Sequence, residues 1–199
     1  MCKSITKREE WFNASLPILD DMVFKPAGYS IPDNIQIGVG TMGSGREKAI
    51  GKCWSSSSCK NGTIQIFISP HIDGSEFLSL SHRVLDVLCH EIVHAIDGNQ
   101  NGHKAPFRKI AIAIGLEGKM TATIGGDRLN ALLSDIIKQI GEYPHATLTP
   151  ARQKKQTTRM IKAECEDPTC GWSFRASAKN MGMITNHECL ACGSYIQIN

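Results

Sequence analysis

No stretch of the 199 residues approaches the roughly 18 to 20 consecutive apolar residues that a membrane-crossing helix needs. The start, MCKSITKREEW, has no apolar segment behind its charges of the kind a secretory signal carries. A soluble, cytoplasmic (intracellular) protein is therefore expected. Strong charge of one sign is also lacking: the net charge is +3. That surplus is unevenly placed, because residues 1 to 150 hold 15 Lys+Arg against 15 Asp+Glu and residues 151 to 199 hold 7 against 4. There is no internal repeat, and no nucleotide-binding loop. GVGTMG at 38 to 43 fits a glycine-rich dinucleotide pattern, but SGREKAIGKCW follows where a phosphate-facing helix should begin, and no Lys-Ser/Thr pair follows it to make a P-loop. It reads as a turn between two strands.

A hydrophobic content of 41 % suffices for one ordinary core with a small appended module. Trp11, Phe12, Leu16 and Leu19 recur at helical spacing over about 6 to 22, with Pro17 as a disturbance. Strands are expected at 35 to 39, 49 to 54 and 64 to 69, where apolar and polar residues alternate in two of the three segments. A helix over about 81 to 97 carries an apolar face of Val84, Leu85, Leu88, Ile92, Ala95 and Ile96, with Ser81 as its expected N-cap. Two further helices end near Gly115 and Gly141. The polar, basic stretch from 147 to 161 reads as a linker, which divides the chain into 1–146, the linker, and a small module at 162–199.

Chemistry concentrates in HEIVHAIDGNQNGH, residues 90 to 103. Positions i and i+4 of a helix project from one face, so His90 and His94 can address one ion, with Glu91 beside them to act on a metal-held water. Zinc on three protein ligands lowers its water's pKa to about 7, and the glutamate takes the proton as that water attacks a carbonyl. His103 is the expected third ligand, since Gly98 can end the helix and the loop through Gly102 can fold back. Glu117 is a rival for that position, and Asp97 is expected to work behind the ligands or end the helix. Tyr143 and His145, flanking Pro144, are candidate donors to a developing oxyanion.

Eight cysteines in an intracellular chain point to metal binding rather than disulfides. Cys165 and Cys170, then Cys189 and Cys192, form two close pairs separated by eighteen residues, the pattern of a structural zinc ribbon. Cys2, Cys53, Cys59 and Cys89 read as plain thiols. Trp172 and Phe174 suggest one strand of the ribbon, and Tyr195, Ile196 and Ile198 another. Arg152, Lys154, Lys155, Arg159 and Lys162, continued by Arg175 and Lys179, form a basic run able to neutralise nucleic-acid phosphates.

HEIVHAIDGNQNGHKAPF followed by RKIAIAIGLEGKMTAT resembles the SprT-like (Spartan-related) family of zinc metallopeptidases, whose eukaryotic members degrade proteins crosslinked to DNA. AIGKCW, QIFISP and EYPHATL are similar to segments of its phage and prophage forms. The resemblance implies an α+β, zincin-like fold with a short mixed sheet packed on helices and a C-terminal zinc ribbon. It implies one catalytic and one structural Zn2+, with His90, His94 and His103 as ligands and Glu91 as acid/base. It also implies a protein substrate and a DNA or other nucleic-acid partner, with the protein close to host DNA if it is of phage origin. The alternative kept beside it is a nucleic-acid-binding or transcription-associated zinc protein with little or no peptidase activity.

Overall fold

Alternation of buried isoleucines with outward glutamines builds the first layer. Ile64, Ile66 and Ile68 of one strand point inward, while Gln65 points out and hydrogen-bonds Gln36 at 2.8 Å. The computed structural model describes residues 5–40, 49–74, 78–148, 160–184 and 187–198, and the chain divides into two compact units, Met1–Pro150 and Ala151–Asn199. Among the described residues no helix is long and apolar enough to cross a membrane.

The first unit runs α1 (Arg8–Leu19), β1 (Ile35–Val39), β2 (Gly51–Trp54), β3 (Ile64–Ile68), α2 (Leu80–Ile96), α3 (Ala105–Ile114), β4 (Leu116–Lys119), β5 (Ala122–Gly125) and α4 (Asp127–Ile140). Pro17 lies inside α1 without ending it, and a π-helical turn, Asp20–Phe24, follows. β1, β3 and β2 form a mixed sheet in that order, with β1 parallel to β3 and β2 antiparallel to it. α2 crosses this sheet and is enclosed on almost every side: Val84, Leu85, Leu88, Ile92 and Val93 are buried, but so are Asp86, Glu91 and His94. The histidine-bearing side of the helix is therefore a lined cleft rather than a solvent face. Each fully buried Leu or Ile here contributes roughly 1.5–3 kcal/mol.

The N-cap of α2 is Ser79, whose hydroxyl accepts from the His82 N–H, and not Ser81. Ser81 is buried instead, donating to Glu142 and accepting the Tyr143 N–H at 2.8 Å. Gly115 ends α3 in a left-handed conformation (φ 97°), and β4 and β5 then form a hairpin that the sequence pattern does not announce.

The second unit contains β6 (Ile161–Cys165), β7 (Ser173–Ala176), α5 (Ala178–Met181) and β8 (Ile196–Ile198). β6 is the centre of an antiparallel sheet ordered β7-β6-β8. Among its described residues the buried core is Ala163, Met181, Cys189 and Ile196, with Trp172 and Phe174 packed against it. The molecule is thus mixed α+β with small sheets, five α-helices among the described residues, and a cysteine cluster near its C-terminus.

Candidate metal centre

His90 and His94 lie one turn apart on α2, and the chain must reverse to bring His103 to them. Asp97 caps the helix end and accepts hydrogen bonds from Asn101, at 2.8 Å from its side-chain amide and 3.3 Å from its N–H. That is the helix-ending role expected of it. Gly98 and Gly102 take left-handed φ (68° and 55°), and so does Asn99 (56°), which a non-glycine residue rarely does. Asn99 is held there by its N–H on the His94 carbonyl (2.8 Å) and by its side-chain amide on the Cys53 carbonyl of β2 (2.8 Å).

The result brings three ring nitrogens together. His103 Nε2 is 3.2 Å from His90 Nε2 and 3.2 Å from His94 Nε2. A tetrahedral zinc with Zn–N distances of 2.0–2.1 Å sets its nitrogen ligands about 3.3–3.4 Å apart, so the three imidazoles fit a metal ion. Phe107, fully buried on α3, packs against all three rings, with centroids 4.9, 4.4 and 5.0 Å from His90, His94 and His103. Burial pushes His90 down to about 3, helped by His94 and His103, and His94 down to about 4; His103 is lowered by burial too. Burial thus favours the neutral form of all three rings, which leaves them lone pairs for a cation.

Glu91 is 5 % exposed, and burial raises its carboxyl pKa to about 8, opposed by the Cys53 N–H. Gly51 of β2 makes room for it: a Cβ there would overlap Glu91 Oε1. Histidines and glutamate share one cleft of about 580 Å³, lined also by Ile50, Lys52, Val87, Asn99, Thr121 and Thr123. Glu117 is not among these residues. Its carboxylate packs over Gly126 at the start of α4, where a Cβ would overlap it, which removes it as a third ligand.

Tyr143 and His145 are not brought to the cleft either. Both sit at the opposite end of α2, beside Arg8, Leu80 and Val84. Tyr143 packs edge-on against Trp11 (5.2 Å), and burial raises its hydroxyl to about 12. The sequence reading missed Gly51, Asn99, Phe107 and Thr123. Only Asn99, a polar residue within the glycine-containing loop, carried a local signal.

The four tail cysteines also converge. Cys165 and Cys192 sulfurs lie 3.5 Å apart and those of Cys170 and Cys189 3.7 Å apart. Zn–S bonds of about 2.3 Å give tetrahedral S···S distances of about 3.8 Å, whereas a disulfide would need 2.05 Å. Hydrogen bonds from the Ser194 side chain and backbone lower Cys192 to about 6. The four cysteines and the three histidines are the two groups among the described residues that can hold a metal ion. Cys53 and Cys89 are buried thiols with pKa values raised by burial, Cys53 to about 12.

Of the basic run, Arg152, Lys154, Lys155 and Arg159 lie outside the described residues. Lys162 is paired with Glu164, while Arg175 and Lys179 are exposed. From 160 to 198 the described residues include three Lys/Arg against Glu164, Glu166, Asp167 and Glu188, so the positive surplus in the sequence lies within 151–159. Comparison of the chain with protein-family models, curated proteins and solved structures found no match.

Proposed function

We propose that the chain is a zinc-dependent metalloprotease of zincin type with an appended zinc ribbon, cutting peptide bonds in proteins associated with nucleic acid. The observation that carries this reading is one cleft in which His103 Nε2 lies 3.2 Å from both His90 Nε2 and His94 Nε2, beside the buried Glu91 carboxylate of α2. Zinc bound there would supply a Lewis acid and a water acidified to a pKa of about 7. Glu91 is the acid that lines the cleft. Its carboxyl group accepts a proton and hands it on to the departing amine, and a cation at the neighbouring imidazoles would lower its raised pKa toward the carboxylate form. The Cys53 N–H orients that carboxylate and Gly51 gives it space. Lys52, Asn99, Thr121 and Thr123 are polar side chains among those lining the cleft where charge on the carbonyl oxygen would develop.

Four thiolates would close a zinc's coordination sphere, which suits a structural rather than a catalytic ion. Nucleic-acid contact rests on the linker cations with Arg175 and Lys179, and on the resemblance set out above. The test is cleavage of a DNA-bound protein by wild type and Glu91→Gln, with metal content measured on both. The expected result is two zinc ions per chain in each and cleavage in wild type alone. Equal cleavage, or none in either, would favour a binding protein without peptidase activity.

A further inference from the structure

Of the three imidazoles, His90 has its second ring nitrogen engaged by a side chain from a different element. His90 Nδ1 is 2.8 Å from Thr123 Oγ1 on β5, whereas His94 Nδ1 is buried without a hydrogen-bond partner. A neutral imidazole carries one proton, so the partner of one nitrogen decides what the other can do. If Thr123 accepts the Nδ1 proton, Nε2 presents a lone pair toward His94 and His103. If the proton moves to Nε2, it points at His103 Nε2, 3.2 Å away, and the ligand position is blocked.

We propose that Thr123 is a positioning residue for the metal centre, its hydroxyl accepting Nδ1–H of His90 and so selecting the Nε2 lone-pair tautomer and ring orientation. This rests on the reading that the three histidines hold a metal ion. The hairpin that carries Thr123 is braced for the task. Thr123 is paired with Gly118 across the ladder, and the base is closed by the Gly126 N–H on the Gly115 carbonyl (2.9 Å) and by the Asn130 amide on the Gly125 carbonyl (2.7 Å). Glu117 fills the space over Gly126. Threonine suits the position because β-branching restricts χ1 on a strand and holds the hydroxyl in place.

The test uses the full chain with zinc. In wild type, long-range ¹H–¹⁵N spectra of the zinc-loaded protein should show His90 protonated on Nδ1. Thr123→Val, nearly isosteric, should weaken zinc at the histidine site by about 10- to 100-fold in chelator competition, while Thr123→Ser should stay within about threefold of wild type. Unfolding of the metal-free variants should match wild type. A His90 protonated on Nε2 in the loaded wild type, or a valine variant holding zinc as tightly as wild type, overturns the proposal. If wild-type chain binds no zinc at the histidines, the metal-site reading on which it rests fails instead.

Discussion

The three-histidine cluster and the four-cysteine cluster are built in opposite ways. The histidines are set on a framework that already has its core: α2 is buried along most of its length, Phe107 supports all three rings, and the sheet and α4 complete the packing. The cysteines are set in a unit whose described residues bury a core of only four. Where the core comes first, a metal ion is an added reagent and one coordination position can stay open to a substrate. Where the core is nearly absent, the metal must hold the chain together and all four positions are filled by protein. A three-histidine cleft and a four-cysteine cluster in one chain are the contrast on which the proposal of one catalytic and one structural site rests.

The largest effect that would break this comparison is in the small unit. Cys165→Ser, or removal of metal by a strong chelator, should unfold residues 160–198 while leaving the first unit folded, because structural zinc contributes about 10–16 kcal/mol in small metal-dependent units. Heteronuclear NMR reports the two units separately, and dispersed signals from a metal-free tail would contradict the account. Next is Phe107→Ala. Loss of a fully buried ring should cost about 3–5 kcal/mol in chemical denaturation and loosen zinc at the histidines without touching zinc at the cysteines. Equal zinc loss at both sites would end the claim that they are independent.

The first unit should also show a pH dependence that belongs to its own core. Burial raises Asp86 to about 6 despite the Arg83 guanidinium 2.7 Å away. A raised carboxyl pKa means that the folded state holds its proton longer than the unfolded state. Asp86 therefore adds stability that is complete below about pH 4 and lost as pH rises through 6, by up to about 3 kcal/mol. Asp86→Asn removes that slope, so the pH profiles of metal-free wild type and variant should diverge between pH 4 and 6 and run parallel above 7. Parallel profiles throughout would remove Asp86 from the account. The smallest effect is at the loop. Asn99→Ala gives up the hydrogen bond to the Cys53 carbonyl in a left-handed conformation, and should cost about 1 kcal/mol with a measurable loss of zinc affinity at the histidines alone.

What the sequence made legible was local. His90, Glu91 and His94 follow from helical spacing, and the two strands at 35–39 and 64–68 follow from alternation that the sheet reproduces. His103 could be anticipated because only a short glycine-bearing loop separates it from the helix. The hairpin of β4 and β5 escaped because LEGK and ATIG are four-residue strands without an alternating apolar pattern, and Thr123 was lost with it. Tyr143 and His145 were misassigned for a different reason. They follow α4 closely in sequence, but which end of α2 that chain exit reaches is set by the packing of α4 on α1 and α2, which residue spacing does not encode. Ser79 and Ser81 could each cap α2, and burial of Ser81 against Glu142 and Tyr143 decided between them.

The central claim is that His90, His94 and His103 hold one zinc ion apart from that of the cysteines. Anomalous diffraction at the zinc edge from crystals of the zinc-loaded chain tests it most directly. The account predicts two peaks, one about 2.0–2.1 Å from the three Nε2 atoms and one about 2.3 Å from the four sulfurs. A peak at the cysteines with none among the three imidazoles would contradict it.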